Sequence, residues 1–361
     1  MPDCKITIEL DSAFITPLQA DTLFGHICWA LLYMEGESEL KKFLEIYTTS
    51  PPFLTSDAFP EGYLPRPILP PLSVHDMEQI EEGFCKTNGK VDKVKKFHLL
   101  KYLKKWKKDF IIQAETLNII RKNYTEKTLI VKMLKGELQS PHFEMVKHEK
   151  CKPVDLTEDP DKKDKTKNTH YLSKSEEISI VAHNTIDRIS NTVAGDGGYY
   201  QQEETFYRPG TRREIYIHDE YFSEIRLKEL LKYIGDAGYG KDASVGKGHF
   251  SIKNIEAVEW YSLTDANAIM LLSSCVPSEN NPTKGWYKLQ TKYGKVGSVF
   301  SQTGNEGAEH PFKKPLLQIS NGSVFFCNPP IMYMGKMVRN IHVQPYIVHY
   351  GYAITFPLCI Q

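Results

Sequence analysis

The stretch Gly235-Asp236-Ala237-Gly238-Tyr239-Gly240-Lys241-Asp242-Ala243-Ser244-Val245-Gly246-Lys247-Gly248-His249-Phe250 holds five glycines in sixteen residues. Before it, Glu224–Ile234 places Ile225, Leu227, Leu230, Leu231 and Ile234 at helical spacing. After it, His249–Ile255 reads as a strand. The order is therefore helix-loop-strand. Gly235 to Asp242 reads G-x-x-x-x-G-K-D, one letter from a P-loop. A P-loop needs the reverse order, strand-loop-helix, so that a helix N-terminus faces the phosphates, and it needs Ser or Thr where Asp242 stands. No G-x-G-x-x-G occurs, so a dinucleotide fold lacks support. What remains is a loop whose glycines let backbone approach another group closely. Its free N–H groups can form an anion nest, to which Lys241 and Lys247 add charge. A phosphate backbone is the natural partner; the alternative is a connection that simply packs tightly.

Working outward, Cys4–Leu10 alternates apolar and polar residues, the mark of a half-buried strand. A loop through Thr16-Pro17 leads to Asp21 as N-cap of a helix over Thr22–Met34, with Leu23, Phe24, Ile27, Leu31 and Met34 on one face. The chain opens β-loop-α and closes its first part with helix-loop-strand. This is compatible with a β-α-β-β-α-β, RRM-like plan interrupted by an insertion. Residues 51–72 carry seven prolines and read as an extended loop. Lys86–Lys108 carries ten lysines and one acid, with Val94, Phe97, Tyr102, Leu103, Trp106 and Phe110 as an apolar stripe. That spacing predicts one or two amphipathic helices with a basic outer face, either solvated or turned to phosphate. Asp155–Lys174, nearly free of apolar residues, is expected to be a loop without assigned function.

Strand-like sequence resumes at Ser179–Val181. Beyond Trp260 the chain reads as all strand, with candidates at Ala268–Ser273, Tyr287–Tyr293, Leu316–Ile319 and Tyr346–Leu358. Asn321-Gly322 is the hairpin signal between Leu316–Ser320 and Val324–Cys327. The expected fold class is α+β. It has an N-terminal RRM-like (ferredoxin-like) domain over 1–258 with an insertion at about 86–178, and a C-terminal RRM-like, β-rich domain over 259–361.

Length and composition agree. The 361 residues exceed the usual single-domain size, and 45 basic against 45 acidic side chains leave no net charge. With 41% hydrophobic and 25% charged residues, wholesale disorder and a disulfide miniprotein are excluded. The zero hides a segregation. Residues 1–85 hold 4 basic and 14 acidic side chains, residues 86–150 hold 17 and 7, and the remainder holds 24 of each. The seven cysteines lie far apart, with no CxxC, so a zinc ribbon or redox motif fails and reduced thiols in a cytoplasm are expected. Neither a signal-peptide core nor an apolar run of membrane-spanning length is seen, and no metal or cofactor is expected.

A second segment carries chemistry. Ala182-His183-Asn184-Thr185-Ile186-Asp187-Arg188-Ile189-Ser190-Asn191-Thr192 runs into Gly195–Gly198 and then Tyr199-Tyr200-Gln201-Gln202-Glu203-Glu204-Thr205-Phe206-Tyr207. Amides, Arg188 and a glycine turn flanked by aromatics suit single-stranded RNA, whose bases stack on rings while phosphates take Arg and amide donors. A plain hairpin with exposed tyrosines is the alternative.

At these two segments the chain resembles the RAMP superfamily of CRISPR-associated proteins, and within it the fourth subunit of type III-A (Csm) effector complexes, which caps the crRNA 5′ end. The matching stretches are Thr22–Ala30, Ser56–Pro60 followed by Leu64-Pro65-Arg66-Pro67, His183–Arg188, Gln202–Tyr207, the loop at 238–250, Lys314–Phe325 and His349–Ala353. Residues 86–178 match least. The resemblance implies two RRM-like domains, no catalytic centre, binding of the crRNA 5′ repeat-derived handle, and contacts to the polymerase-like large subunit and to a backbone RAMP subunit. It also implies a hairpin thumb, placed at 189–207. A good RNP1 sequence is missing, so loops rather than a sheet face are expected to meet the RNA. The candidate RNA-binding residues are His26, Asn184, Arg188, Thr192, Tyr199, Tyr200, Phe206, Gly238, Gly240, Lys241, Ser244, Gly246, Lys247 and Gly248.

Relatives in that superfamily include an endonuclease that processes crRNA precursors. The competing reading is thus a metal-independent endoribonuclease with His26 as general base and Lys241 or Lys247 stabilising charge. The dipeptides His75-Asp76 and His218-Asp219 lack the further ligands of an HD phosphohydrolase, and HExxH is absent.

Overall fold

The structure is a computed structural model that describes residues 3–138, 154–157, 175–187, 189–193, 198–259, 263, 265–297 and 311–361. The chain begins with β1 (Asp3–Leu10), α1 (Ala20–Glu35), α2 (Glu37–Ile46), β2 (Phe53–Thr55), β3 (Phe59–Pro60) and β4 (Tyr63–Pro65). It continues through α3 (Val74–Phe84), β5 (Lys86–Thr87), β6 (Lys90–Val91), α4 (Lys93–Trp106), β7 (Ile111–Gln113), α5 (Ala114–Ile120) and α6 (Glu126–Leu134). Next come β8 (Glu176–Asn184), β9 (Ile186–Asp187), β10 (Thr192–Val193), β11 (Tyr199–Tyr207), β12 (Arg212–Asp219), α7 (Glu224–Ala237) and β13 (Phe250–Ala257). The last part holds β14 (Ala268–Leu271), β15 (Gly285–Trp286), β16 (Leu289–Lys292), β17 (Leu316–Ile319), β18 (Val324–Phe326), β19 (Tyr333–Val338) and β20 (His349–Leu358).

The alternation of β1 puts Cys4, Ile6, Ile8 and Leu10 into the core. β1 lies between β12 and β13, and β12 pairs on its far side with β2 and β3, all antiparallel. Leaving out what lies between β3 and β12, the elements run β-α-β-β-α-β, and the sheet order is fourth, first, third, second strand. That excursion carries two features. One is a helical lobe whose α4 to α6 bury Leu99, Tyr102, Trp106, Leu117 and Leu129. The other is a long hairpin, β8 with β11. The lobe starts at Val74, ahead of the expected boundary at 86, because Ser73 ends the proline run and caps α3 by accepting the Asp76 N–H. In the lysine-rich stretch only α4 is helical. Its inward side chains are His98, Leu99, Tyr102, Leu103 and Trp106, whereas Val94, Phe97 and Phe110 of the expected apolar stripe are exposed.

The second sheet has the order β15-β18-β14-β20-β19. Among the described residues from 263 onward no helix occurs, so this part is strand-rich and borrows its helical cover. The loan comes from α1. Phe24 stacks on Tyr350 of β20 with centroids 4.7 Å apart, and Tyr350, Tyr352, Ile354, Phe356 and Leu358 share one core with Ile6, Phe24 and Leu54. The core therefore runs across residue 258. Asn321-Gly322 does make a turn, with Gly322 at φ +74°, but its flanks do not pair with each other. β17 pairs with β16, and β18 joins β14 and β15, because Gly322 donates its N–H to Leu271 O (2.8 Å) and sends the chain into a different sheet.

The two sheets meet at the start of α1. The expected cap Asp21 lies in the first turn; Gln19 is the N-cap, with no side-chain bond. Instead Asp57, beyond β2 and almost fully buried, accepts the Ala20 N–H at 2.9 Å with one oxygen and the Asn321 amide at 2.8 Å with the other. Burial pushes its carboxyl up to about 6, against the pull of those two donors. A raised folded value means that stability from this group is full below the unfolded carboxyl range and is lost as pH rises through about 6. Asp57→Ala leaves the buried Ala20 N–H and the half-buried Asn321 amide unmatched, and we expect a loss of about 2–4 kcal/mol in urea unfolding. Asp57→Asn removes the ionisation and should flatten stability against pH between about 4 and 6.

Candidate nucleic-acid interface

α7 buries Leu227, Leu230, Leu231 and Ile234 and ends at Gly238, whose φ of +89° turns the chain out of the helix. Tyr239 then drops into the core: its hydroxyl donates to Pro17 O at 2.9 Å and accepts the Gln19 N–H at 3.1 Å. Tyr239 N–H meets Gly248 O at 2.9 Å, and Gly248 N–H meets Ala13 O at 2.9 Å. A Cβ on Gly248 would fall 2.0 Å from Tyr239 O, so only glycine fits. Gly240 N–H donates to His26 Nε2 and Lys241 N–H to Thr16 Oγ1, each at 2.9 Å. At the outer turn, Val245 and Lys247 donate to Asp242 O and Gly246 donates to Ala243 O. The N–H groups of 238–241 and 245–248 are thus used inside the protein. The capacity to face an anion is confined to the tip, Asp242–Ser244, and to the lysine side chains.

His26 is half-buried on α1 and stacks on Tyr239 (4.7 Å, 29°). Burial lowers its pKa to about 4, so at neutral pH the ring is neutral. Since Nε2 accepts from Gly240, the proton sits on Nδ1. His26 fixes the loop to the helix as a neutral acceptor.

The hairpin covers the loop. β8 and β11 pair over nine residues, from Tyr199 opposite Asn184 to Tyr207 opposite Glu176. The two-residue alternation puts Tyr200, Gln202, Glu204 and Phe206 on one face, with His183 across from Tyr200. Glu204 is fully buried; one oxygen pairs with Lys247 Nζ and the other takes His183 Nε2 at 3.0 Å. Burial raises the Glu204 carboxyl, but these two partners outweigh it and hold it below the ordinary range. Lys241 Nζ donates to Gln202 Oε1 and lies 5.8 Å from the Tyr200 ring; Lys247 Nζ lies 5.4 Å from the Phe206 ring. Phe14 and Thr205 exchange backbone bonds at 2.9 Å, tying the hairpin to the loop after β1.

Of the candidate residues, His26, Tyr200, Phe206, Gly238, Gly240, Lys241, Ser244, Gly246, Lys247 and Gly248 come together in this assembly. Asn184 and Tyr199 lie on the opposite hairpin face, beside the exposed Ile178 and Ile180, and Thr192 lies in β10, where it pairs with Asp187 of β9. Arg188 lies outside the described residues. The hairpin placed at 189–207 extends back through β8 to Glu176. Thr16, His183, Gln202, Glu204 and Tyr239 complete the assembly beyond those candidates. The alternation Tyr200-Gln202-Glu204-Phe206 was the available signal for two of them; Thr16 and Tyr239 gave none. Among the described residues no group of three His, Cys, Asp or Glu side chains is placed to hold a metal ion, and no helix is long and apolar enough to cross a membrane.

No family model and no curated protein matches the sequence. The fold, mixed helices with antiparallel sheets, has solved counterparts matched along nearly the whole chain. The structure is similar to the Csm4 chain of a Csm1–Csm4 cassette in complex with AMPPNP, at 16% identity and a TM-score of 0.50, covering 99% of this chain and 98% of that one. It is also similar to a chain of the Csm3–Csm4 subcomplex of the type III-A CRISPR-Cas interference complex, at 16% identity and a TM-score of 0.49, covering 98% of this chain and 99% of that one. The fold is Csm4-like.

Gly248→Ala should unfold or strongly destabilise the loop, whereas at Gly246, where an added Cβ meets nothing within 4 Å, alanine carries only the cost of its positive φ, about 1 kcal/mol. Thermal unfolding of the two variants checks the contrast. For His26 the folded pKa lies below the ordinary 6.5, so its stabilisation is complete above about 6.5 and is lost as pH falls toward 4. A proton NMR titration should find this imidazole neutral until about pH 4.

Proposed function

We propose that this chain is a non-catalytic, RNA-binding scaffold subunit of a type III-A CRISPR effector complex. It holds the 5′ repeat-derived handle of the crRNA, bridges the polymerase-like large subunit to the backbone RAMP subunits, and works in the cytoplasm without a cofactor. The observation that carries this reading is the closure of a long aromatic- and amide-bearing hairpin over a glycine-rich loop with two lysines, on a Csm4-like fold. The β-α-β-β-α-β order of the first sheet supports an RRM-like domain there. The presence of Csm1 beside Csm4 in the solved structure supports a partner subunit for this chain.

The geometry also divides the labour between the lysines. Lys247 has its charge offset by buried Glu204 and acts through shape, holding the hairpin on the loop. Lys241 is exposed and its partner, Gln202, is neutral, so its charge is available to a phosphate beside the Tyr200 ring. The endoribonuclease alternative needs a free lone pair on the general base, and the Nε2 lone pair of His26 is taken by the Gly240 N–H.

Two measurements test the reading. In the co-purified complex, Lys241→Ala and Arg188→Ala should each weaken retention of the handle by about 1–3 kcal/mol, and the pair Gly246→Asp with Lys247→Glu should lower crRNA occupancy. Unchanged occupancy in all three sinks the loop assignment. Incubating the isolated chain with labelled repeat RNA in the absence of metal should leave the RNA intact; specific cutting that vanishes in His26→Ala would favour the enzyme instead.

A further inference from the structure

Residues 284–297 read K-G-W-Y-K-L-Q-T-K-Y-G-K-V-G and residues 311–318 read P-F-K-K-P-L-L-Q. Together they hold six lysines and no acid, in a chain whose total charge is zero. The two segments form one ribbon. β16 pairs with β17 from Leu289 opposite Ile319 to Lys292 opposite Leu316, and an isolated bridge between Lys295 and Phe312 continues it.

The ribbon has two different faces. Inward, Lys292 Nζ lies 2.7 Å from Gln19 Oε1 and 3.0 Å from the Asp21 carboxylate, and Gln318 bonds His349 at 2.8 Å. On the exposed side, Tyr293 is 70% and Phe312 60% exposed, with exposed Lys295 bridged to Phe312, while exposed Lys288 and Lys314 stand at the two ends of the paired stretch, Lys314 Nζ 3.3 Å from Asn340 O. Among the described residues no carboxylate lies within ion-pair distance of those three lysines. A surface that sets rings among cations with no carboxylate partner among the described residues matches a ligand with flat π-faces and a regularly anionic backbone.

Position adds a second argument. The inner face is seated on the turn Pro17–Asp21, and the same turn receives the Tyr239 hydroxyl from the glycine-rich loop, at Pro17 O and Gln19 N. Ribbon and loop thus flank one turn, and a strand leaving the loop on that side meets the ribbon next.

We propose that the outer face of the β16–β17 ribbon is a second contact for single-stranded RNA, with Tyr293 and Phe312 as base-stacking surfaces and Lys288, Lys295 and Lys314 as phosphate contacts. This rests on the RNA-binding reading above and extends it to a separate surface. Among the described residues on that side, the exposed rings and lysines offer no paired donor and acceptor to read a base edge, so the contact is sequence-tolerant and salt-sensitive.

The test uses the full chain and a fluorescein-labelled, mixed-sequence single-stranded RNA long enough to reach both surfaces, titrated at several salt concentrations. Tyr293→Ala should weaken binding about tenfold while Tyr293→Phe binds as wild type. Lys288→Glu with Lys295→Glu should lower the slope of log affinity against log salt by about 1.4. Since these residues are exposed, all variants should melt like wild type. Wild-type binding in every ribbon variant, with Lys241→Ala weakened, overturns the ribbon proposal and leaves the loop standing. The reverse pattern keeps the ribbon and removes the loop. An absence of salt-sensitive binding by wild type overturns both. Normal RNA binding with loss of co-purifying subunits makes the face a protein contact and overturns the proposal.

Discussion

One buried carboxylate organises the meeting of the two sheets. Asp57 follows β2 in the first sheet, caps α1 through the Ala20 N–H, and holds Asn321 of the turn that feeds the second sheet. Each of those three parts is placed by its own hydrophobic face, but their relative register is set where polar groups must be matched in a dry environment. The consequence passes along α1. Once its first turn is fixed, His26 stands where Nε2 can accept from Gly240, and Phe24 on its other side meets Tyr350. The loop that faces solvent is therefore positioned from the core outward, through a helix shared by both halves.

Charge follows a similar logic. In sequence an acidic block precedes a basic one, yet the fold brings the two together. Lys86 pairs with Glu82, Lys96 with Glu81 and Lys127 with Asp76. Three of the lobe's lysines are thereby neutralised locally, by partly exposed pairs that contribute little stability individually. At the interface the balance is finer still. Lys247 is neutralised by a fully buried glutamate, an arrangement that costs desolvation and is repaid only by good geometry and by the third partner, His183. Such a site specifies where the hairpin lies more than how stable the chain is.

Much of this was legible in residues alone. The alternation of Cys4–Leu10 and the helical spacings around Phe24 and Leu230 predict elements that the structure contains, because each presents one apolar face to one core. The glycine-rich loop was legible as a place of close approach, and Gly235, Gly238, Gly240 and Gly248 have no room for a side chain. What failed was long-range. Asn321-Gly322 carries the local signature of a hairpin, but strand partnership is decided by which sheet has a free edge. Spacing alone does not tell which side of α4 has a neighbour, so Val94 and Phe97 of the apolar stripe are exposed, as is Phe110 beyond the helix. Nor does a local pattern reveal that the loop amides are already spent on Thr16, Ala13 and His26, more than two hundred residues away in sequence.

The position of β20 bears on how the molecule is made. This strand sits inside the second sheet, between β14 and β19, and its side chains Tyr350 to Leu358 complete the core around α1. During synthesis the amino-terminal elements emerge with that side of the helix uncovered, and they stay so until residues near 358 leave the ribosome. Closure of the core is then a late event joining segments more than three hundred residues apart, the kind of non-local contact that slows folding and exposes apolar surface while it is awaited. A nascent chain of this design gains from chaperone shelter until those residues have emerged.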